Sequence, residues 1–151
     1  MRRRRPRPAV LLAAGFAVFV FLGISFLLAR GLSGPGAERS KVLKVLQAQA
    51  RGDSRAVLAQ LDACRREPAC ATTAAQRTRR LRTSGAIQIL NYEPSVQFSL
   101  TRQTGVARVA WRAGEQLPIV QCVRVRRDGP LTGGGVELLS ISDPIGLEAG
   151  C

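Results

Sequence analysis

Between Val10 and Ala29 the chain runs VLLAAGFAVFVFLGISFLLA, twenty residues with no charge, in which Ser25 carries the only side-chain hydrogen-bonding group. As a helix rising about 1.5 Å per residue this run spans roughly 30 Å, the thickness of a bilayer's hydrocarbon core. The rest of the chain is arranged around it. Residues 1-9 form a basic tail, 10-29 a transmembrane helix, 30-37 a flexible stalk, and 38-151 a polar segment long enough for one domain but not two.

The tail MRRRRPRP sets an expected orientation. Five arginines lie within eight residues of the apolar run on one side, against Arg30 alone close on the other. By the positive-inside rule this places the N-terminus in the cytoplasm and the C-terminal domain outside the cell membrane. A cleaved secretory signal is the rival reading, because a charged n-region and an apolar h-region are both present. The run is longer than the usual h-region, however, and no A-x-A-like site directly follows it. An uncleaved, single-pass signal anchor is therefore expected.

All four cysteines, Cys64, Cys70, Cys122 and Cys151, lie beyond the anchor, and an even number in an oxidising compartment suggests bridges. Three pairings are possible. The expected one joins Cys64 to Cys70 across a short loop and Cys122 to Cys151, so that residue 151 is tied to a strand. A zinc site is disfavoured, since there is no CxxC pair and no histidine. Neither a metal nor another cofactor is expected.

Six of the 23 basic residues (Arg2, Arg3, Arg4, Arg5, Arg7 and Arg30) flank the anchor, so the remaining 17 stand against 10 acidic residues, a net +7 for the domain. Such a charge favours anionic surfaces. Only Lys41 and Lys44 are lysines, a ratio that reads as codon bias from a GC-rich genome before it reads as phosphate recognition. The Arg77 to Arg82 cluster has no interleaved aromatic residues, which argues against stacking on nucleic acid. A solvated helix face is its ordinary explanation.

Past the stalk GLSGPGA, the segment ERSKVLKVLQAQAR places Val42, Val45, Leu46 and Gln49 on one helical face. Gly52 ends this helix and Asp53 can cap the next, whose buried stripe is Val57, Leu58, Leu61 and Cys64. That Arg51-Gly52-Asp53 spells the integrin-binding tripeptide is thus explained by helix chemistry. A third, weaker helix is expected over 72–83. After Gly85 the period changes to two. Strands are expected at 86–92, at 95–101, where Val96, Phe98 and Leu100 alternate with polar residues, from Ala107 to Arg112, through LPIVQCVRVR, and over 136–141. Turns fall at Gln103-Thr104-Gly105, at Ala113-Gly114-Glu115 and at Asp128-Gly129-Pro130. Short connections imply an antiparallel meander with one face covered. The expected class is α+β: two or three helices packed on a curved antiparallel sheet of four to five strands.

The anchor, the helical phrase VLQAQARGDSRAVLAQLDAC, a cysteine-containing loop, a short third helix and the run of strands together resemble the nuclear-transport-factor-2-like, cystatin-like cone folds over Glu38 to Ile145. Membrane-anchored versions of that fold occur in actinobacterial-type genomes. The resemblance implies a sheet curled round helices to form a cone whose cavity is filled, binds a small ligand or hosts catalysis. Its catalytic members use an Asp base, a Tyr or a His in the cavity, whereas this chain has no His and its one tyrosine, Tyr92, sits at a strand end.

Trp111 reads first as core and second as a ligand-stacking residue. Gln121 shares a strand face with Ile119 and Val123, which suits either a polar cavity lining or a buried amide satisfied by backbone. Tyr92, Trp111 and Gln121 are accordingly the tentative pocket residues. The residues present no coherent acid, base or nucleophile set. The expected function is a non-catalytic domain that binds a protein partner in the cell envelope. A small-ligand pocket or enzyme in the cone, and attachment to an anionic envelope polymer, are the alternatives.

Overall fold

In the computed structural model, residues 8–32, 34–96, 101–129, 131 and 133–151 are described. Helix α1 (Pro8–Leu32) contains the apolar run. Its window Leu12–Ala29 has a mean hydropathy of 2.5 and no buried residue, so it is long and apolar enough to cross a membrane. Helix α2 (Gly34–Arg51) begins inside the stretch expected to be a stalk. Pro35 falls in its first turn, where a missing backbone N–H removes no intrahelical bond, so the Gly/Pro composition does not prevent helix.

The buried stripe of α2 is the expected one: Val42, Val45, Leu46 and Gln49 are all fully enclosed. Gly52, at φ 74°, ends the helix, and the Asp53 side chain accepts from Ala56 N at 2.9 Å to cap α3 (Ser54–Gln60). The second helix was expected to continue through Cys64. Instead Leu61 leaves helical geometry (φ −112°, ψ 70°) with its side chain still buried, and the chain restarts as α4 (Asp62–Arg66). Helix α5 (Pro68–Arg80) starts four residues earlier than expected, with Pro68 in its first turn. Four helices thus follow α1 among the described residues, rather than two or three.

Strands β1 (Ile87–Glu93), β2 (Gln103–Ala113), β3 (Ile119–Arg127) and β4 (Val136–Ile141) form one open antiparallel sheet in the order β1-β2-β3-β4. Pairing slips at Leu90 in β1 and at Leu139 in β4, two bulges that bend the sheet. The strand expected at 95–101 falls mostly on residues 97–100, outside the described residues. The turn expected at Gln103-Thr104-Gly105 is instead the start of β2. Gly105 is glycine for a close approach: a Cβ there would meet the Ser95 carbonyl oxygen at 2.4 Å.

Inward residues alternate along β2 (Ala107, Val109, Trp111, Ala113) and β3 (Gln121, Val123, Val125, Arg127), and they pack with α2, Val57, Leu61, Cys64 and Ala74 into one core. The opposite face was expected to be open. It is partly covered by the C-terminal segment: after Ile145 bridges Val120 beside β4 in the plane of the sheet, Arg108 donates to the carbonyls of Leu147 and Ala149, and Cys151 is bonded to Cys122. The second disulfide joins Cys64 and Cys70, with Cα atoms 5.1 Å apart, so both bridges pair as the spacing suggested.

Candidate functional site

Two buried polar clusters tie the helices to the sheet. The first is built on Glu38, which lies one turn before Val42 on the buried face of α2 and is fully enclosed. Its Oε1 accepts from the Tyr92 hydroxyl at 2.5 Å and from Ser95 N at 2.9 Å, while Oε2 accepts from the Ser95 hydroxyl at 2.7 Å. The Arg127 guanidinium, whose side chain is 8% exposed, stands 3.7 Å from Oε2 and also donates to the Val96 carbonyl. A buried charge needs this arrangement of counter-charge and several donors to be tolerated. Burial pushes the Tyr92 phenol well above its ordinary value; the hydrogen bond to Glu38 and that carboxylate's charge push it further, and the positive charges of Arg127 and Arg39 oppose them. These bonds make a latch between α2, β1, β3 and the segment after β1.

The second cluster lies further along α2. Gln121 Oε1 accepts from Trp111 Nε1 at 2.9 Å and from Gln49 Nε2 at 3.1 Å, and Gln121 Nε2 donates to the Ser142 carbonyl at 2.8 Å. Ser142 Oγ in turn accepts from Cys122 N at 2.9 Å. Trp111, Gln49 and Gln121 have no exposed surface. Gln121 therefore fits the reading of a buried amide satisfied in part by backbone. The three tentative pocket residues do not converge: Trp111 and Gln121 touch each other, and Tyr92 belongs to the Glu38 cluster.

Surface depressions lie elsewhere. One, of about 410 Å³, sits between α2 and β1 and is lined by Gly36, Arg39, Ser40, Leu43, Ile87 and Ile89. Another lies beside the Cys64–Cys70 bridge. A third is an open groove at the C-terminal end of α2, where Arg51 and Arg82 meet Thr83 and Ser84. None of these three includes Tyr92, Trp111 or Gln121. The arginine cluster at the end of α5 and just beyond it divides by role. Arg77 forms a bidentate pair with Asp143, with Nε–Oδ1 at 2.8 Å and Nη2–Oδ2 at 3.0 Å, and donates to the Ile141 carbonyl, fastening α5 to the end of β4. That hydrogen-bonded pairing holds the Asp143 carboxyl below the usual carboxylate range. Arg79, Arg80 and Arg82 are exposed.

Glu38, Ser95 and Arg127 were not anticipated from the sequence. Both charged residues carried a readable signal: Glu38 is four positions before Val42 on the apolar stripe, and Arg127 continues the inward parity of Gln121, Val123 and Val125. Opposite charges on two inward phases imply a buried pair. Compared with known protein families, curated proteins and solved structures, the chain matches none.

Proposed function

We propose that this protein is a single-pass anchored domain, N-terminus in the cytoplasm and residues 38–151 outside the cell membrane, that acts by binding a protein partner in the cell envelope and carries out no catalysis. The single observation that carries the reading is the Leu12–Ala29 window, an apolar span none of whose residues is buried among the described residues. The arginine-rich tail supports the orientation, and the Cys64–Cys70 and Cys122–Cys151 bridges support an oxidising surrounding. The non-catalytic part rests on the interior polar groups. Glu38 is bonded to Tyr92 and Trp111 to Gln121, each pair within its own buried cluster, and both tie helix to sheet.

The helices-first order and the bulged, antiparallel sheet further support a nuclear-transport-factor-2-like domain. A second reading, a small-ligand site, is favoured by one feature, the depression between α2 and β1, whose size is within the range of ligand pockets. Photo-cross-linking from exposed α2 positions such as Gln47 in intact cells distinguishes the two. Capture of one defined envelope protein is the expected result. Capture of nothing, with a small molecule retained through native mass spectrometry, contradicts the partner reading in favour of the ligand one.

A further inference from the structure

The open groove at the C-terminal end of α2 consists of two adjoining depressions that share Arg51, Thr83 and Ser84, one lined further by Arg82 and Gln116 and the other by Gln47. These supply two guanidinium groups, two hydroxyls and two amides, and no lining side chain is a carboxylate. Neither Arg51 nor Arg82 forms an ion pair with an acid among the described residues. The acid nearest in sequence, Asp53, accepts from Ala56 N as the cap of α3. The last carbonyls of α2 are occupied by backbone donors, those of Ala48, Gln49 and Ala50 accepting from Asp53 N, Gly52 N and Thr83 N. The Thr83 hydroxyl oxygen is buried and has no hydrogen-bond partner among the described residues. An unpaired buried hydroxyl is a group the fold alone leaves unsatisfied.

Arg82 is positioned as well as charged. Its aliphatic stem lies against Gly52, where an added Cβ would meet Arg82 Cδ at 3.0 Å and Cγ at 3.2 Å. Gly52 therefore has two reasons to be glycine, its φ of 74° and the contact that seats Arg82 beside Arg51.

We infer that this groove binds phosphate groups carried along a hydroxyl-rich chain, the guanidinium groups of Arg51 and Arg82 taking the phosphate oxygens and the hydroxyls and amides of Ser84, Gln47 and Gln116 taking the chain's own hydroxyls. Arginine's planar fork suits phosphate oxygens, and fixed amides and hydroxyls match a polyol better than an apolar ligand. The groove is open to solvent, which leaves room for a chain to pass through it. Arg51 also stands about 25 Å along α2 from Gly34, the end joined to the anchor, at about 1.5 Å per residue. This inference does not depend on the protein-partner reading.

The test is a calorimetric titration of the full-length protein, held in phosphatidylcholine nanodiscs, with a poly(glycerol phosphate) oligomer. Binding is expected at low salt and is expected to weaken as salt rises. Arg51→Gln and Arg82→Gln should each lower the affinity about tenfold, the loss of one charge-assisted contact. Lys44→Gln removes an equal charge from an exposed α2 position outside the groove and should change it by less than about twofold, because distant exposed charges are screened. No polymer binding at low salt overturns the inference, as does an equal loss from Lys44→Gln. Loss of polymer binding when the nanodisc contains phosphatidylglycerol also overturns it, by assigning the groove to lipid headgroups.

Discussion

The Tyr92 hydroxyl donates to the fully buried Glu38 carboxylate at 2.5 Å, joining residues 54 positions apart and locking the first turns of α2 to the end of β1. Because Tyr92 is the only tyrosine, its ionisation can be followed without ambiguity. Its folded pKa is raised above the unfolded value of 10.0, so the stabilisation is fully present below that pH and is lost as pH rises above it. Tyrosinate absorbance should appear only together with loss of the folded circular-dichroism signal. Tyr92→Phe should cost about 1–2 kcal/mol at neutral pH and remove this alkaline dependence. A phenolate forming at its ordinary pH in the folded protein would contradict the latch.

Arg127 is the counter-charge of that latch, 3.7 Å from Glu38 and almost as deeply buried. Glu38→Leu leaves the guanidinium without its partner and should destabilise the domain by about 3–5 kcal/mol in urea unfolding. Joining it to Arg127→Leu should recover much of the loss, since two apolar side chains replace a matched pair. The coupling is read from a double-mutant cycle; additive losses would show that the two groups do not interact.

Gln121 holds three partners at once, so Gln121→Leu strands the Trp111 and Gln49 donors in the core and removes the donor to the half-buried Ser142 carbonyl. A loss of about 2–4 kcal/mol is expected, with Trp111 fluorescence shifting as its environment loosens. Unchanged stability would mean that Gln121 is free to serve a ligand.

Cys122 and Cys151 enclose a separation of 29 residues, for which loop-closure entropy gives about 3.5 kcal/mol. Cys151→Ser should lower thermal stability by that order and free residues 142–151 from the sheet, which raised amide exchange at Ile145 would report. Cys64→Ser, opening a loop with a separation of only 6, should cost less.

Much of the fold was legible because its elements are periodic. Val42, Val45, Leu46 and Gln49 announce the buried face of α2, and the alternation through Val123 and Val125 announces β3; β4 was read to the residue, since a glycine run precedes it and an aspartate-proline pair follows it. The errors have local causes. A glycine among polar residues reads as a turn, and at Gly105 it marks instead a close backbone approach within a strand. Leu61 breaks a helix although its apolar spacing is unbroken, because periodicity records burial and not backbone angle. Glu38 and Arg127 were passed over because each charge alone reads as solvent-exposed; their meaning depends on a partner in a different element. Pocket residues were sought among aromatic and amide side chains, whereas Tyr92, Trp111 and Gln121 went to the core. The donor-lined groove at Arg51 and Arg82 depends on packing of α2 against the chain after α5, which no spacing encodes.

A domain outside the membrane with its anchor retained is tested most directly by the intact mass of the full-length protein, extracted from its own membrane without reductant after free thiols have been blocked. An uncut N-terminus, no blocked thiols and a mass lower by the hydrogens of two disulfides is the predicted result. Four blocked thiols would contradict the orientation, and a chain beginning after Ala29 would contradict the anchor.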